Sequence, residues 1–203
     1  MIVIVDYGMG NLRSVSKALE HLGAGVKVSS LPSDIDRARK LVLPGVGAFG
    51  DAVKGLQERG LFDAVLDYLE NHRPFLGICL GLQLLFESSE EDPTVQGLGV
   101  IRGTIRKFRS RSVKIPHMGW NQVNWMDEHP LLEGIPNQSY FYFVHSYYAS
   151  PHDSGLVAGV TEYGEDHFAA VIAEGNLLAT QFHPEKSQEA GLVLLKNFVD
   201  WKV

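Results

Sequence analysis

Cysteine is nearly absent: Cys79 is the only one in 203 residues. No intrachain disulfide can form, so a disulfide-framed secreted fold is excluded and a reducing compartment, the cytoplasm, is the expected location. There is no Cys-x-x-Cys pair and the eight histidines are scattered, so no metal site is expected. Excess positive charge is also missing. Eighteen Lys and Arg stand against 24 Asp and Glu, a formal net charge of −6, and a chain so charged has no general attraction for a phosphate backbone. No apolar run approaches the roughly 20 residues of a membrane span. The opening Met1-Ile2-Val3-Ile4-Val5-Asp6 has no basic region ahead of its apolar stretch and reads as a strand, not a signal peptide. No repeat, low-complexity tract or linker divides the chain, so residues 1–203 are expected to form a single domain.

What is present is an ordinary globular mixture, 45% hydrophobic and 21% charged. The first half alternates strand and helix signals. Strands are predicted at Ile2–Val5, Val26–Val28, Leu41–Leu43 and Phe75–Ile78. Helices are predicted from Asn11, as N-cap, to His21, over Leu61–Glu70 and over Leu80–Phe86. That order argues for parallel βαβ units with helices on both faces of a sheet. From Val100 to Gln181 the texture changes to strands: Val100–Phe108, Gly119–Trp125, Tyr140–Tyr148, Leu156–Thr161, Phe168–Ala173 and Leu177–Gln181. The last two are joined by the tight turn Glu174-Gly175-Asn176. A final helix runs over Gln188–Val199. The expected fold is α/β, a mostly parallel sheet with an added antiparallel region.

Two segments carry chemistry. Gly77-Ile78-Cys79-Leu80-Gly81 has the G-x-C-x-G form between an apolar strand and a helix, the pattern of a nucleophile elbow. Small flanking residues permit the sharp turn, the helix N-terminus favours a thiolate, and the Leu80 N–H would face an oxyanion. Taken alone, Cys79 also fits a buried structural thiol. The second segment, Gln181-Phe182-His183-Pro184-Glu185, follows a strand. His183 and Glu185 are two residues apart, so in an extended segment both point the same way, and the carboxylate can orient one ring nitrogen while the other meets a nucleophile. Alone, it also fits a surface His-Pro turn. Together the two segments point to a cysteine triad, provided parallel strands end at a common sheet edge.

With these motifs on the page, Gly77-Ile78-Cys79-Leu80-Gly81-Leu82-Gln83 and His183-Pro184-Glu185 resemble the class I (triad) glutamine amidotransferases, whose fold is flavodoxin-like. Further segments are similar to the histidine-biosynthetic branch of that family, the glutaminase subunits of imidazole glycerol phosphate synthases. They are Tyr7-Gly8-Met9-Gly10-Asn11-Leu12, Leu43-Pro44-Gly45-Val46-Gly47-Ala48-Phe49, Lys114 to Asn121, Phe141 to Tyr147, and His183 to Ser187. The resemblance spans essentially the whole chain.

It implies that Cys79 attacks the side-chain amide carbon of glutamine, that His183 handles the protons with Glu185 holding its ring, and that water releases glutamate from a γ-glutamyl thioester. Gln83, Ser146 and Tyr147 would bind the substrate. Leu80 would supply one oxyanion N–H, and the Val46 or Gly47 peptide a second that is not fixed at rest. Asn11, Met118, Trp120 and Lys186 would lie at the interface with a cyclase subunit, a (β/α)8 barrel, in a heterodimer. Ammonia would pass to that subunit, which makes imidazole glycerol phosphate and aminoimidazole carboxamide ribotide. No cofactor is implied. Two alternatives stay open: another triad glutaminase, such as that of pyridoxal phosphate synthesis, and a non-catalytic interaction subunit. Six basic residues between Arg102 and Lys114, with no acid among them, fit either a solvated face or an anion-attracting rim.

Overall fold

A computed structural model describes residues 1–202. In chain order the elements are β1 (Ile2–Val5), α1 (Leu12–His21), β2 (Val26–Ser29), α2 (Pro32–Arg37), β3 (Lys40–Gly45), α3 (Phe49–Glu58), α4 (Leu61–Glu70), β4 (Phe75–Cys79), α5 (Leu80–Gln83) and β5 (Phe86–Ser89). Then come β6 (Ile101–Lys107), β7 (His117–Trp125), β8 (Ser139–His145), β9 (Tyr147–Pro151), β10 (Val157–Tyr163), β11 (Asp166–Glu174), β12 (Leu177–Thr180) and α6 (Gln188–Asp200), with short 3-10 turns between some of them.

Among the described residues, twelve strands join one sheet. Its core is parallel, in the order β2-β1-β3-β4-β12. Beyond β12 the sheet continues antiparallel through β11, β10, β7 and β8. A side branch of β5, β6 and β9 joins at β11. The expected α/β class with an antiparallel addition is therefore found. Alternate side chains of the parallel strands go to opposite faces, as a period of two requires. Val3, Val5, Leu41 and Leu43 enter the core under α3 and α4. Ile2, Ile4, Val42, Leu76 and Ile78 enter the core under α1 and α6. The strands are buried on both sides, which is why they read as continuous apolar runs.

Four expectations are corrected. The helix expected over Leu80–Phe86 is a single turn ending at Gln83; Leu84 and Leu85 instead accept backbone hydrogen bonds from Leu98 and Ile101, and Phe86 opens β5. The run is buried throughout, so periodicity could not mark where the helix stops. The strand expected over Tyr140–Tyr148 breaks at Ser146, because β8 pairs with β7 whereas β9 pairs with β6 and β11. Helices α2 and α3 were not foreseen. Asn11 does precede α1, but with φ −88° and ψ 60° its side chain makes no capping hydrogen bond, since it lacks the extended conformation that lets an N-cap oxygen reach back.

Candidate active site

The carboxyl ends of β1, β3, β4 and β12 share one edge of the parallel sheet, the place where such folds build sites. Register does the assembly. Gly45 pairs with Cys79 and Thr180 with Ile78, so the loops after β3, β4 and β12 start side by side. His183, more than half the chain from Cys79 in sequence, thereby comes beside it.

Cys79 is a buried free thiol, 5% exposed, at φ 54° and ψ −105°. A non-glycine residue there is strained, at a cost on the order of 1–3 kcal/mol. The strain is imposed by the strand-to-helix turn, whose tightness is measured at Gly81: a Cβ there would sit 1.8 Å from the Leu43 carbonyl oxygen. The helix that follows is only four residues long. The expectation that a helix dipole favours the thiolate is therefore weakened, and the nearby imidazole is the stronger source of positive charge.

His183 Nδ1 lies 2.9 Å from Glu185 Oε1, with side chains 2% and 0% exposed. The backbone holds this pair in place: His183 N–H donates to the Tyr142 carbonyl at 2.9 Å, Ser187 Oγ donates to the His183 carbonyl at 2.6 Å, and Tyr142 N–H donates to Ser187 Oγ. Burial disfavours the imidazolium, but the Cys79 sulfur and the Glu185 carboxylate outweigh it, and the His183 pKa is pushed up to about 10. At neutral pH the ring is therefore charged. Nδ1–H is engaged by Glu185. Nε2 is buried without a hydrogen-bond partner among the described residues, and Cys79 is the negative group that acts on this side of the ring.

A second set of contacts surrounds the sulfur. Gln181 Nε2 donates to Cys79 Sγ at 3.7 Å, and Gln83 Nε2 donates to Gln181 Oε1 at 3.2 Å and to the Tyr147 carbonyl at 3.0 Å. The Gln83 amide nitrogen is thus engaged inside the protein, which leaves its Oε1 as the group free to meet a ligand. Gln181 was not singled out from sequence, although the i, i+2 rule that pairs His183 with Glu185 also puts Gln181 beside His183. Tyr7, likewise unassigned, donates to the Pro44 carbonyl at 2.9 Å; burial, reinforced by the charge of Cys79, pushes its phenol well above the usual range.

The other expected residues fall into two groups. Leu80, as the first residue of α5, has an N–H that no helical carbonyl can reach. Val46 is exposed and Gly47 adopts φ 110°, directly after the strand that flanks Cys79. Ser146 and Tyr147 sit at the break between β8 and β9. Asn11, Met118, Trp120 and Lys186 lie outside this cluster. Met118 is 63% and Trp120 45% exposed, the Trp120 ring meets Tyr142 edge-on at 6.1 Å, and the Lys186 ammonium stands 5.7 Å from the Tyr142 ring centre. Of the basic stretch, Arg109 pairs with Glu90 at 3.0 Å. Among the described residues no helix is long and apolar enough to cross a membrane.

The sequence matches the family Glutamine amidotransferase class-I over residues 3–201. It is 49% identical over 206 residues to "Imidazole glycerol phosphate synthase subunit HisH" of Syntrophotalea carbinolica, covering 98% of this chain and 100% of the relative. It is 52% identical to the protein of the same name from Moorella thermoacetica, covering 97% and 93%. A solved structure of a glutamine amidotransferase superposes with a TM-score of 0.75 at 21% identity, covering 98% of this chain and 99% of that one, which speaks for the fold. The chain belongs to the class-I glutamine amidotransferases, in their HisH branch.

Proposed function

We propose that this chain is the glutaminase subunit of an imidazole glycerol phosphate synthase, a single domain working in the cytoplasm, where the Cys79 thiol stays reduced. The observation that carries the reading is the buried His183–Glu185 pair beside Cys79 on its strained elbow.

The raised His183 pKa keeps a proton on the imidazole while the Cys79 sulfur acts as the nucleophile. It adds to the side-chain amide carbon of glutamine. The C–N bond breaks, and His183 gives its Nε2 proton to the departing nitrogen, releasing ammonia and leaving a γ-glutamyl thioester. The now neutral His183 takes a proton from water, whose oxygen attacks the thioester. Glutamate leaves, and the free Cys79 sulfur and the imidazolium are restored. Glu185 keeps the ring in register through both proton transfers. The Leu80 N–H stabilises the oxyanion, and the Val46–Gly47 peptide supplies a second donor when it turns inward. Gln83 Oε1, with the Ser146 backbone and the Tyr147 N–H, grips the amino-acid end of glutamine. Ammonia then passes to a (β/α)8 cyclase subunit docked, in a heterodimer, against Asn11, Met118, Trp120 and Lys186.

The test is synthesis by the two-subunit complex, driven by glutamine or by added ammonia. Cys79→Ala should abolish the first and spare the second, since cyclisation needs only an ammonia source. Glutamine-driven turnover that survives in Cys79→Ala would overturn the assignment.

A further inference from the structure

We propose that His117 and His145 are positioning residues of the glutamine site: as a neutral, direction-locked pair they fix the Tyr147 carbonyl, and through it the side chain of Gln83. The inference rests on the active-site reading above and adds two residues that take no part in the proton transfers.

The chain of contacts is continuous. His145 Nδ1 lies 2.8 Å from the Tyr147 carbonyl oxygen, and a carbonyl can only accept, so Nδ1 carries the hydrogen. His145 Nε2 is then bare and accepts from His117 Nδ1 at 3.0 Å. His117 must therefore also be protonated on Nδ1, and its bare Nε2 accepts from the Asn121 side-chain amide at 3.3 Å. The same amide nitrogen donates to the Glu162 carbonyl at 2.8 Å. Every hydrogen runs one way, from Asn121 through His117 and His145 to Tyr147. A proton added to either bare nitrogen would oppose one donor with another.

The surroundings keep both rings neutral and still. His117 is stacked between Phe143 and Tyr163, with centroids at 4.8 and 4.0 Å. His145 is walled by Phe108 and Phe168 at 5.2 and 5.1 Å. Burial lowers the pKa of His117 to about 4 and, against the hydrogen bond to Tyr147, that of His145 to about 3, with the charge of nearby His183 adding to the effect.

The Tyr147 carbonyl that receives His145 is the one that receives Gln83 Nε2. Both lone pairs are then occupied, so Tyr147 O orients other groups and does not itself bind substrate. Without His145 the peptide at the β8–β9 break loses its anchor, and Gln83 loses a fixed acceptor.

Two measurements on the full chain test this. In nitrogen-15 imidazole spectra, both rings should show the Nδ1–H tautomer, unchanged from pH 6 to 8. An Nε2–H tautomer, or titration within that range, overturns the proposal. In the Cys79→Ala background, glutamine binding by calorimetry should weaken about tenfold for His145→Phe. It should stay within about threefold for His145→Asn, whose amide can still donate to Tyr147. In the complex with intact Cys79, His145→Phe should raise KM for glutamine about tenfold with kcat changed far less. A lowered melting temperature with unchanged glutamine affinity would make the pair merely structural and overturn the proposal. Should His145→Phe fail to fold, the tautomers of the unsubstituted chain still decide. The two readings fail separately: unchanged affinity in His145→Phe sinks the pair alone, whereas glutamine-driven turnover surviving in Cys79→Ala sinks the site.

Discussion

His183 is charged because two acidic neighbours overcome its burial, and this has consequences that can be measured. Its folded-state pKa of about 10 lies above the ordinary value near 6.5. The folded chain then binds more protons than the unfolded chain between those values, so the stabilisation is complete below about 6.5 and is lost as pH rises toward 10. Urea denaturation should show stability falling with pH across that window, and more steeply than in His183→Gln. Activity should follow the same group: the alkaline limb of the glutaminase pH profile should lie near 10 and move toward neutrality in Glu185→Gln, where one source of negative charge is gone. An unmoved limb would separate Glu185 from the titration. His183→Ala should cost more in rate than Glu185→Gln, because a poorly held imidazole can still carry a proton and an absent one cannot.

At the scale of elements, the elbow depends on two backbones approaching each other. Gly81 lies so near the Leu43 carbonyl that Gly81→Ala must push β3 away from α5. We expect a loss of about 2–4 kcal/mol in chemical denaturation, with activity lost as the Gly45–Cys79 register is disturbed. The β3 loop is the softer partner. Gly47 tolerates φ 110° because it has no Cβ to clash, so the preceding peptide can turn at little cost. The chain alone should therefore hydrolyse glutamine about 10²–10³-fold more slowly than the complex with bound nucleotide, the usual cost of one missing oxyanion donor. Equal steady-state rates would make Pro44 to Gly47 an ordinary turn.

For the molecule as a whole, the outward side of the β7–β8 hairpin carries Met118, Trp120 and Tyr140, all well exposed, while Phe141, Phe143 and His145 face inward. An exposed residue contributes little to the fold, so Trp120→Ala should leave the stability of the isolated chain within about 0.5 kcal/mol. At an interface, a buried aromatic anchor is worth 2 kcal/mol or more, so titration with the cyclase subunit should show affinity falling at least about 30-fold. A large drop in melting temperature of the isolated chain, with unchanged affinity, would return Trp120 to the core.

Local pattern was enough wherever one stretch of residues carried its own signal. The buried parallel strands, α4 at Leu61–Glu70, the β11–β12 turn and the elbow form around Cys79 were all legible in this way, since apolar runs, helical period and turn chemistry act over a few residues. α3 was hidden because Gly50 and Gly55 lower its intrinsic helicity and it follows a run of turn signals; packing over Val53 and Leu56 makes it a helix. The end of α5 and the break at Ser146 were hidden because each depends on which distant strand the backbone pairs with. The same limit applied at the site. His183 and Glu185 announced their pairing through spacing, but the nearness of Cys79, the charge on His183, the Gln83–Gln181 contacts and the His117–His145 chain arise only when β3, β4, β7, β8, β9 and β12 come together. Charge and hydrogen-bond direction depend on neighbours in space, and those neighbours were chosen by the sheet.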